Sequence, residues 1–309
     1  MNYSIEILYS GFGCFLLTVI LVPFTMKIAP LIGALDYPGA LKIHSQPKPR
    51  FGGLAILISL MIVVGCMPSF IKSIPDCAKL LIFLSIVGIF LIGVWDDIKN
   101  LKAIHKLIFQ LCSICLAVIG LYMLDFKSNI VYYFLIFLFI LGYTNAFNLI
   151  DGLDGLATGI AIITFFGLFV ISIFIKLNLT IIMSLLMITS LLGFLIFNFK
   201  PAKIFLGDCG STLIGFIIGT TTSIIWLHST NKSSLIPLLV VAGLPILDTT
   251  SAIIRRIKQK KSILTGDRNH LYDIMLQRGF SFKQTILVFY FSTLILSTVG
   301  VISYIIIEF

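Results

Sequence analysis

Apolar residues run through this chain in long, unbroken blocks. Dividing the blocks at their polar, glycine and proline breaks predicts ten helical spans, near 7–26, 51–70, 77–95, 107–124, 130–147, 155–175, 177–199, 209–227, 235–254 and 284–307. Each approaches the roughly 20 apolar residues that a helix needs to cross a bilayer. The runs are continuous rather than alternating, which excludes a membrane β-barrel. The longest polar stretch, about 255–283, is too short for a soluble domain. The expectation is an all-α, polytopic membrane protein with about ten transmembrane helices, forming one domain over 1–309. No internal period suggests a solenoid.

Composition narrows the class. Of 309 residues, 59% are hydrophobic and 11% charged, with mean hydropathy +1.10. A soluble domain carries about 25% charged residues, so a water-soluble enzyme and a disordered chain are excluded. The net charge of +9 is not a nucleic-acid signal, because the charges are sorted by loop. Seventeen of the 22 Lys and Arg fall on the side of the first loop and five on the other. Basic loops stay in the cytoplasm, which predicts both termini outside. The first basic residue, Lys27, follows the first apolar run, so this run reads as a membrane helix rather than a cleaved signal. Six cysteines sit mostly in apolar runs, and the Cys112–Cys115 pair reads as small core residues rather than a metal or redox site.

The acids are more selective. Nine of the 13 lie on the predicted cytoplasmic side, and all nine are aspartate. Carboxylates at the inner ends of several membrane helices are costly and mark a functional site. Asp96 and Asp97 end the third span, where a helix dipole disfavours negative charge. A cation is needed there, from Mg²⁺ or from Lys99, Lys102, His105 and Lys106 just beyond. A second block, Asn145 to Leu156, places Asn145, Asn148, Asp151 and Asp154 at intervals of three. A third, Ile204 to Thr212, opens the eighth span with Asp208 between glycines, a helix start suited to phosphate or a metal–phosphate complex. A fourth holds the basic run 255–261, which reads as topogenic or bound to anionic lipid, and then Arg268 and His270 beside carboxylates, suited to a diphosphate clamp. No dinucleotide, P-loop, zinc-protease or serine-elbow motif is present.

Six segments in order, His44 to Gly53, Asp96-Asp97, Asn145 to Leu156, Phe205 to Thr212, Pro245 to Thr249 and Asp267 to His270, resemble the polyprenyl-phosphate N-acetylhexosamine-1-phosphate transferases. That family includes phospho-MurNAc-pentapeptide translocase and the enzymes that start O-antigen, enterobacterial common antigen and teichoic acid linkers. The resemblance covers residues about 36–280. It implies transfer of a sugar-1-phosphate from a UDP-N-acetylhexosamine to undecaprenyl or a related polyprenyl phosphate, with Mg²⁺ (or Mn²⁺) and release of UMP. The site would lie at cytoplasmic helix ends in the bacterial inner membrane, where a soluble and a lipid-anchored substrate meet. By similarity, Asp208 is the first choice for a direct Mg²⁺ ligand, with Asn148 on the metal or nucleotide side. Asp96 and Asp97 shape the metal site, and one of them could take the proton of the lipid phosphate. That role is weaker, because a phosphate with a second pKa near 6 is already largely ionised at pH 7. Asp151 and Asp154 join the metal or nucleotide contacts, Lys106, Arg268 and His270 hold the diphosphate, and Lys48 and Arg50 orient nucleotide or loop. A homodimer is compatible with this reading; nucleic acid is not a partner.

Two rivals belong to other classes. Intramembrane prenyltransferases are also Asp-rich, but they carry a doubled N-x-x-x-D-x-x-x-D, whereas here N-x-x-D-x-x-D occurs once, from Asn148. Transporters place polar groups at mid-membrane, and here only Asp248 lies inside a span. Within the family, UDP-GlcNAc enzymes often end the last motif with paired histidines, where this chain has Tyr272 and Asp273. The translocase branch has a histidine-rich loop there, so a MurNAc-pentapeptide donor is disfavoured. The departure implies an O-antigen- or capsule-initiating enzyme for a modified N-acetylhexosamine, such as a 6-deoxy sugar, with UDP-GlcNAc as the close alternative.

Overall fold

A computed structural model describes residues 3–38, 46–68, 71, 74–124, 129–262 and 269–309. Twelve α-helices are described. These are α1 (Tyr3–Ile32), α2 (Gly52–Gly65), α3 (Asp76–Lys99), α4 (Ala103–Met123), α5 (Ile130–Ile150) and α6 (Leu156–Phe174). They continue as α7 (Asn178–Asn198), α8 (Gly207–His228), α9 (Leu235–Val241), α10 (Gly243–Lys258), α11 (Leu271–Gln277) and α12 (Phe282–Glu308). The all-α, multi-pass class expected from the apolar blocks is what the chain adopts.

Two of the ten blocks differ from simple spans. Among the described residues eight helices are long and apolar enough to cross a membrane, and a ninth crossing is reached if α9 and α10 count together across an 84° bend. The block at 51–70 yields α2, whose 14 residues rise only about 21 Å at 1.5 Å each. Hydropathy measures length in residues and is blind to the bend at Ala242. Cys112 and Cys115 lie exposed on α4 rather than in the core. An apolar surface facing lipid gives cysteine no reason to be interior.

Helix α8 is the buried axis, enclosed along its whole apolar window. It packs against α5, α3 and α2, with α6 and α7 completing the ring. Its sequence explains how neighbours come so near. Gly207, Ser211, Gly215, Gly219 and Ser223 recur every four residues, the small-residue pattern that lets membrane helices pack backbone to backbone. A Cβ on Gly215 would lie 2.3 Å from the Tyr143 carbonyl oxygen of α5. The neighbours contribute their own glycines: a Cβ on Gly93 of α3 would sit 2.3 Å from the Cys209 Cα, and one on Gly53 of α2 2.5 Å from the Gly210 Cα.

The chain runs up and down, so one end of the bundle gathers the ends of α1, α3, α5 and α7 and the starts of α2, α4, α6 and α8. A two-stranded antiparallel pair, β1 (Leu35–Asp36) with β2 (Lys48–Pro49), closes that end. Arg50 bridges to Phe205, and the Gly52 and Gly53 amides donate to the Phe205 and Leu206 carbonyls at 3.0 Å each. The segment carrying Lys48 and Arg50 is thereby fixed at the start of α8.

Candidate active site

Gly207 enters α8 with φ +73, a left-handed turn. A side chain there would strike the Arg50 carbonyl oxygen and the Asp97 carboxylate, each at 2.6 Å. This turn brings Asp208 into the first turn of α8. The preceding residue, Leu206, caps nothing with its side chain. Asp97 does that from α3: its Oδ1 accepts from the Asp208 amide at 2.8 Å and its Oδ2 from the Cys209 amide at 3.0 Å. The Asp97 side chain has no solvent exposure. A carboxylate on free amides at a helix start is favoured by the dipole, which accounts for an acid that seemed misplaced at the end of α3.

Asp208 is the meeting point of four elements. Lys106 Nζ of α4 lies 2.8 Å from its Oδ2, Asn148 Nδ2 of α5 donates to Oδ1 at 3.0 Å, and Arg50 Nη2 lies 3.4 Å from Oδ1. Asp96 Oδ2 is 2.8 Å from the same Lys106 ammonium, and its Oδ1 accepts from the Leu101 amide at 2.7 Å. Asn148 Oδ1 accepts from Lys106 at 3.0 Å, and its amide also donates to Ser211 Oγ at 3.0 Å. Three oxygens, from Asp96, Asp208 and Asn148, thus converge on one cation. Arg50 spans the carboxylates, with Nε 3.5 Å from Asp97 Oδ1 and Nη1 3.4 Å from Asp36 Oδ1.

A cavity of about 380 Å³ opens beside Asp208, with Lys48, Arg50, Asn148, Asp151 and Asp154 among its lining. Asp154 Oδ2 accepts from the Ala202 amide at 2.9 Å and lies 3.9 Å from Lys48 Nζ. Desolvation pushes the Asp151 carboxyl up to about 8; the negative charge of Asp208 adds to this and Arg50 opposes it. A further cation in the cavity would lower the carboxyl again.

Eleven candidates came from the sequence. Asp96, Asp97, Asp208, Asn148, Lys106 and Arg50 form one contiguous cluster, and Lys48, Asp151 and Asp154 line the adjoining cavity. His270 lies beside the cavity, in a different bond: its Nδ1 is 2.7 Å from Asp248 Oδ2, while the Leu271 amide donates to Asp248 Oδ1 at 2.7 Å. Its ring stacks on Tyr272 at 5.8 Å and 6°. Arg268 lies outside the described residues. The sequence reading missed Asp248 as the partner of His270, and Asn198, Lys200 and Phe205 as cavity lining. Gly152, which from the sequence permits a bend or the close approach of another group, serves the second purpose: the Tyr272 ring and hydroxyl occupy the space a Cβ there would fill. The buried acid Asp248 inside an apolar block was the available signal for its partnership.

The donor set can be tested against Mg²⁺. Among the described residues no group of three or more His, Cys, Asp or Glu gathers to hold an ion. The oxygens meeting at Lys106 are hard donors from two carboxylates and one amide. Mg²⁺ takes one or two carboxylates from protein and the rest of its shell from phosphates and water. The residues fit that mode and not an all-protein cage.

Fold and site together define a multi-pass membrane protein with a carboxylate–lysine centre at one end of its helices. Residues 79–226 match the family model described as glycosyl transferase family 4. The chain is 37% identical over 299 residues to a probable undecaprenyl-phosphate N-acetylglucosaminyl 1-phosphate transferase of Bacillus subtilis, covering 93% of this chain and 82% of that protein. It is 30% identical to a decaprenyl-phosphate N-acetylglucosaminephosphotransferase of Mycolicibacterium smegmatis (92% and 79% covered). It is 26% identical to an undecaprenyl-phosphate alpha-N-acetylglucosaminyl 1-phosphate transferase of Escherichia coli (94% and 82% covered). The chain belongs to glycosyl transferase family 4 and is a membrane-spanning transferase.

Proposed function

We propose that this transferase moves N-acetylhexosamine-1-phosphate from a UDP-sugar to undecaprenyl phosphate or a related polyprenyl phosphate, releasing UMP. The reaction takes place at the cytoplasmic face of the inner membrane and requires Mg²⁺. The observation that carries this is the placement of Asp208, Lys106 and Asn148 beside a cavity of about 380 Å³ at a helix end. Joining two anions demands charge neutralisation and alignment more than covalent help from protein. Asp208 and Asn148 would hold the metal, which when bound neutralises developing charge on phosphate oxygens. Lys106 supplies a mobile cation that can pass from the carboxylates to a phosphate. Arg50 and Lys48 draw the nucleotide diphosphate toward Asp208.

Asp97 accepts two backbone amides and Asp96 one amide and Lys106, contacts that give both acids a positioning role at the centre. An attacking phosphate with a second pKa near 6 needs little base help. The sugar is an N-acetylhexosamine; the names of the relatives carry GlcNAc, while Tyr272 and Asp273 at the cavity wall keep a modified hexosamine in play.

Purified protein given a UDP-sugar panel, undecaprenyl phosphate and Mg²⁺ should release UMP in step with a solvent-extractable lipid-linked sugar. EDTA should stop both. UMP release without lipid product, or activity unchanged by EDTA, would overturn the reaction or its metal. The kcat/KM ratio between UDP-GlcNAc and its 6-deoxy analogue decides the sugar: tenfold or more for UDP-GlcNAc, about 1.4 kcal/mol, removes the modified-sugar reading.

A further inference from the structure

The first buried side chain of α4 is a glutamine. Ala103, Ile104 and His105 are exposed, and Gln110 is 1% exposed in a helix otherwise rich in leucine and isoleucine. A leucine would fill that place without burying a polar group, and a polar side chain inside a membrane helix is costly enough to need a reason. Its Oε1 accepts from Asn145 Nδ2 of α5 at 3.1 Å, and the same Nδ2 donates to the Leu141 carbonyl at 3.0 Å. The Gln110 Nε2 is buried with no hydrogen-bond partner among the described residues. The contact thus strands one N–H, a penalty that packing does not explain. Asn145 begins the series at intervals of three whose later members, Asn148, Asp151 and Asp154, belong to the site.

Helix α4 leaves the active-site end and α5 returns to it. A residue four after Lys106 and one three before Asn148 therefore meet one turn deeper, about 6 Å along the axis. Two polar ties cross the α4–α5 seam in sequence: Lys106 Nζ to Asn148 Oδ1 at 3.0 Å, and below it Asn145 to Gln110. The upper tie is ionic and shared, because Lys106 Nζ also lies 2.8 Å from oxygens of Asp96 and Asp208. The lower tie is neutral. Lys102, at the N-cap of α4, makes no side-chain cap bond, so no cap of its own holds the turn that carries Lys106. In the function proposed above, on which this inference rests, Asn148 and Asp208 turn toward a metal the oxygens that now face Lys106. The upper tie then opens, and the lower one contains no group that metal or phosphate would claim.

We propose that Gln110 and Asn145 are positioning residues. Their neutral hydrogen bond locks the register of α4 on α5, so that Lys106 stays within reach of the phosphate once its own bonds to Asn148 and Asp208 are released. Fixing helix register at some cost in stability is the best-attested use of a single buried polar group in a helix pair.

Gln110→Leu removes the tie and the stranded N–H together. It should melt in detergent at or above the parent temperature. The kcat for UMP release should nevertheless fall at least about tenfold, as it does when a catalytic group is slightly misplaced, with KM for the UDP-sugar within about twofold of the parent. A second readout needs no turnover: in EDTA, acetylation by acetic anhydride is followed by mass spectrometry at Lys106, relative to exposed Lys102. That ratio should rise at least about threefold in Gln110→Leu, the scale of one net hydrogen bond. Exchanging the amides, Gln110→Asn with Asn145→Gln, keeps a bond across the seam and should restore both kcat and the protection of Lys106. Parent-like kcat and acetylation in Gln110→Leu overturn the proposal. So does a deficit that the exchange fails to restore, or a change confined to the melting temperature or to KM. A parent protein that releases no UMP overturns the proposed function instead, and the acetylation ratio with its recovery still decides whether the amide pair holds Lys106.

Discussion

The substitution Asp97→Asn separates positioning from proton transfer. It keeps size and shape but turns one of two acceptors into an amide donor facing the Asp208 or Cys209 amide, now 2.8 and 3.0 Å from oxygen. One charge-assisted hydrogen bond is lost and one buried N–H is left unsatisfied, together about 2–4 kcal/mol at the start of α8. The carboxylate of Asp208 hangs on that same turn, bonded to Lys106 and Asn148. If most of the penalty is felt where that carboxylate meets phosphate, kcat falls about 10²-fold, equivalent to about 2.7 kcal/mol. The assay is UMP release at saturating substrates, paired with thermal unfolding in detergent and a pH–rate profile. The expected pattern is a lower melting temperature, a lower kcat and an unaltered profile shape. A folded variant with kcat within about twofold of the parent would refute the capping argument. Loss of the acidic limb would instead assign the proton to Asp97.

Asp208→Asn should lower kcat by at least about 10²-fold, the scale of one preorganised charge-stabilising group, while Asp76→Asn at the opposite end of α3 stays near the parent rate; retained activity and Mg²⁺ dependence in the first would sink the metal assignment. Gly93→Ala should destabilise the fold by about 1–3 kcal/mol by driving α3 from α8, whereas Gly13→Ala, with nothing within 4 Å of its new methyl, should leave the melting temperature unchanged. Asp151 has a folded-state pKa of about 8 against an ordinary 3.8, so its ionisation penalises the fold as pH rises between those values. Asp151→Asn should therefore melt above the parent at pH 8.5 in EDTA, with a gap that narrows toward pH 5; a gap widening on acidification contradicts the sign. A cytoplasm-only reporter fused after Phe309 should be silent if both termini lie outside.

The solvent of this protein, a lipid bilayer, was legible in the chain alone, and so was the clustering of its acids. Uninterrupted apolar blocks leave no surface for water, so membrane helices follow from composition and run length alone. Acids concentrated on one side of the predicted membrane pointed to Asp96, Asp97 and Asp208, because a charge is too costly at a helix end in lipid to be retained without a partner. Single-chain pattern could not say which partner. Asp97 looked like half of a metal pair, and only the packing of α3 on α8 makes it the cap of a helix more than a hundred residues away. His270 looked like a diphosphate ligand, and only the bend at Ala242 brings Asp248 to its ring. The bend itself was invisible, since hydropathy sums residues along the chain and carries no direction. The same holds for Gly53 and Gly93: a missing Cβ has meaning only when another backbone arrives in the space, and the sequence does not contain that arrival.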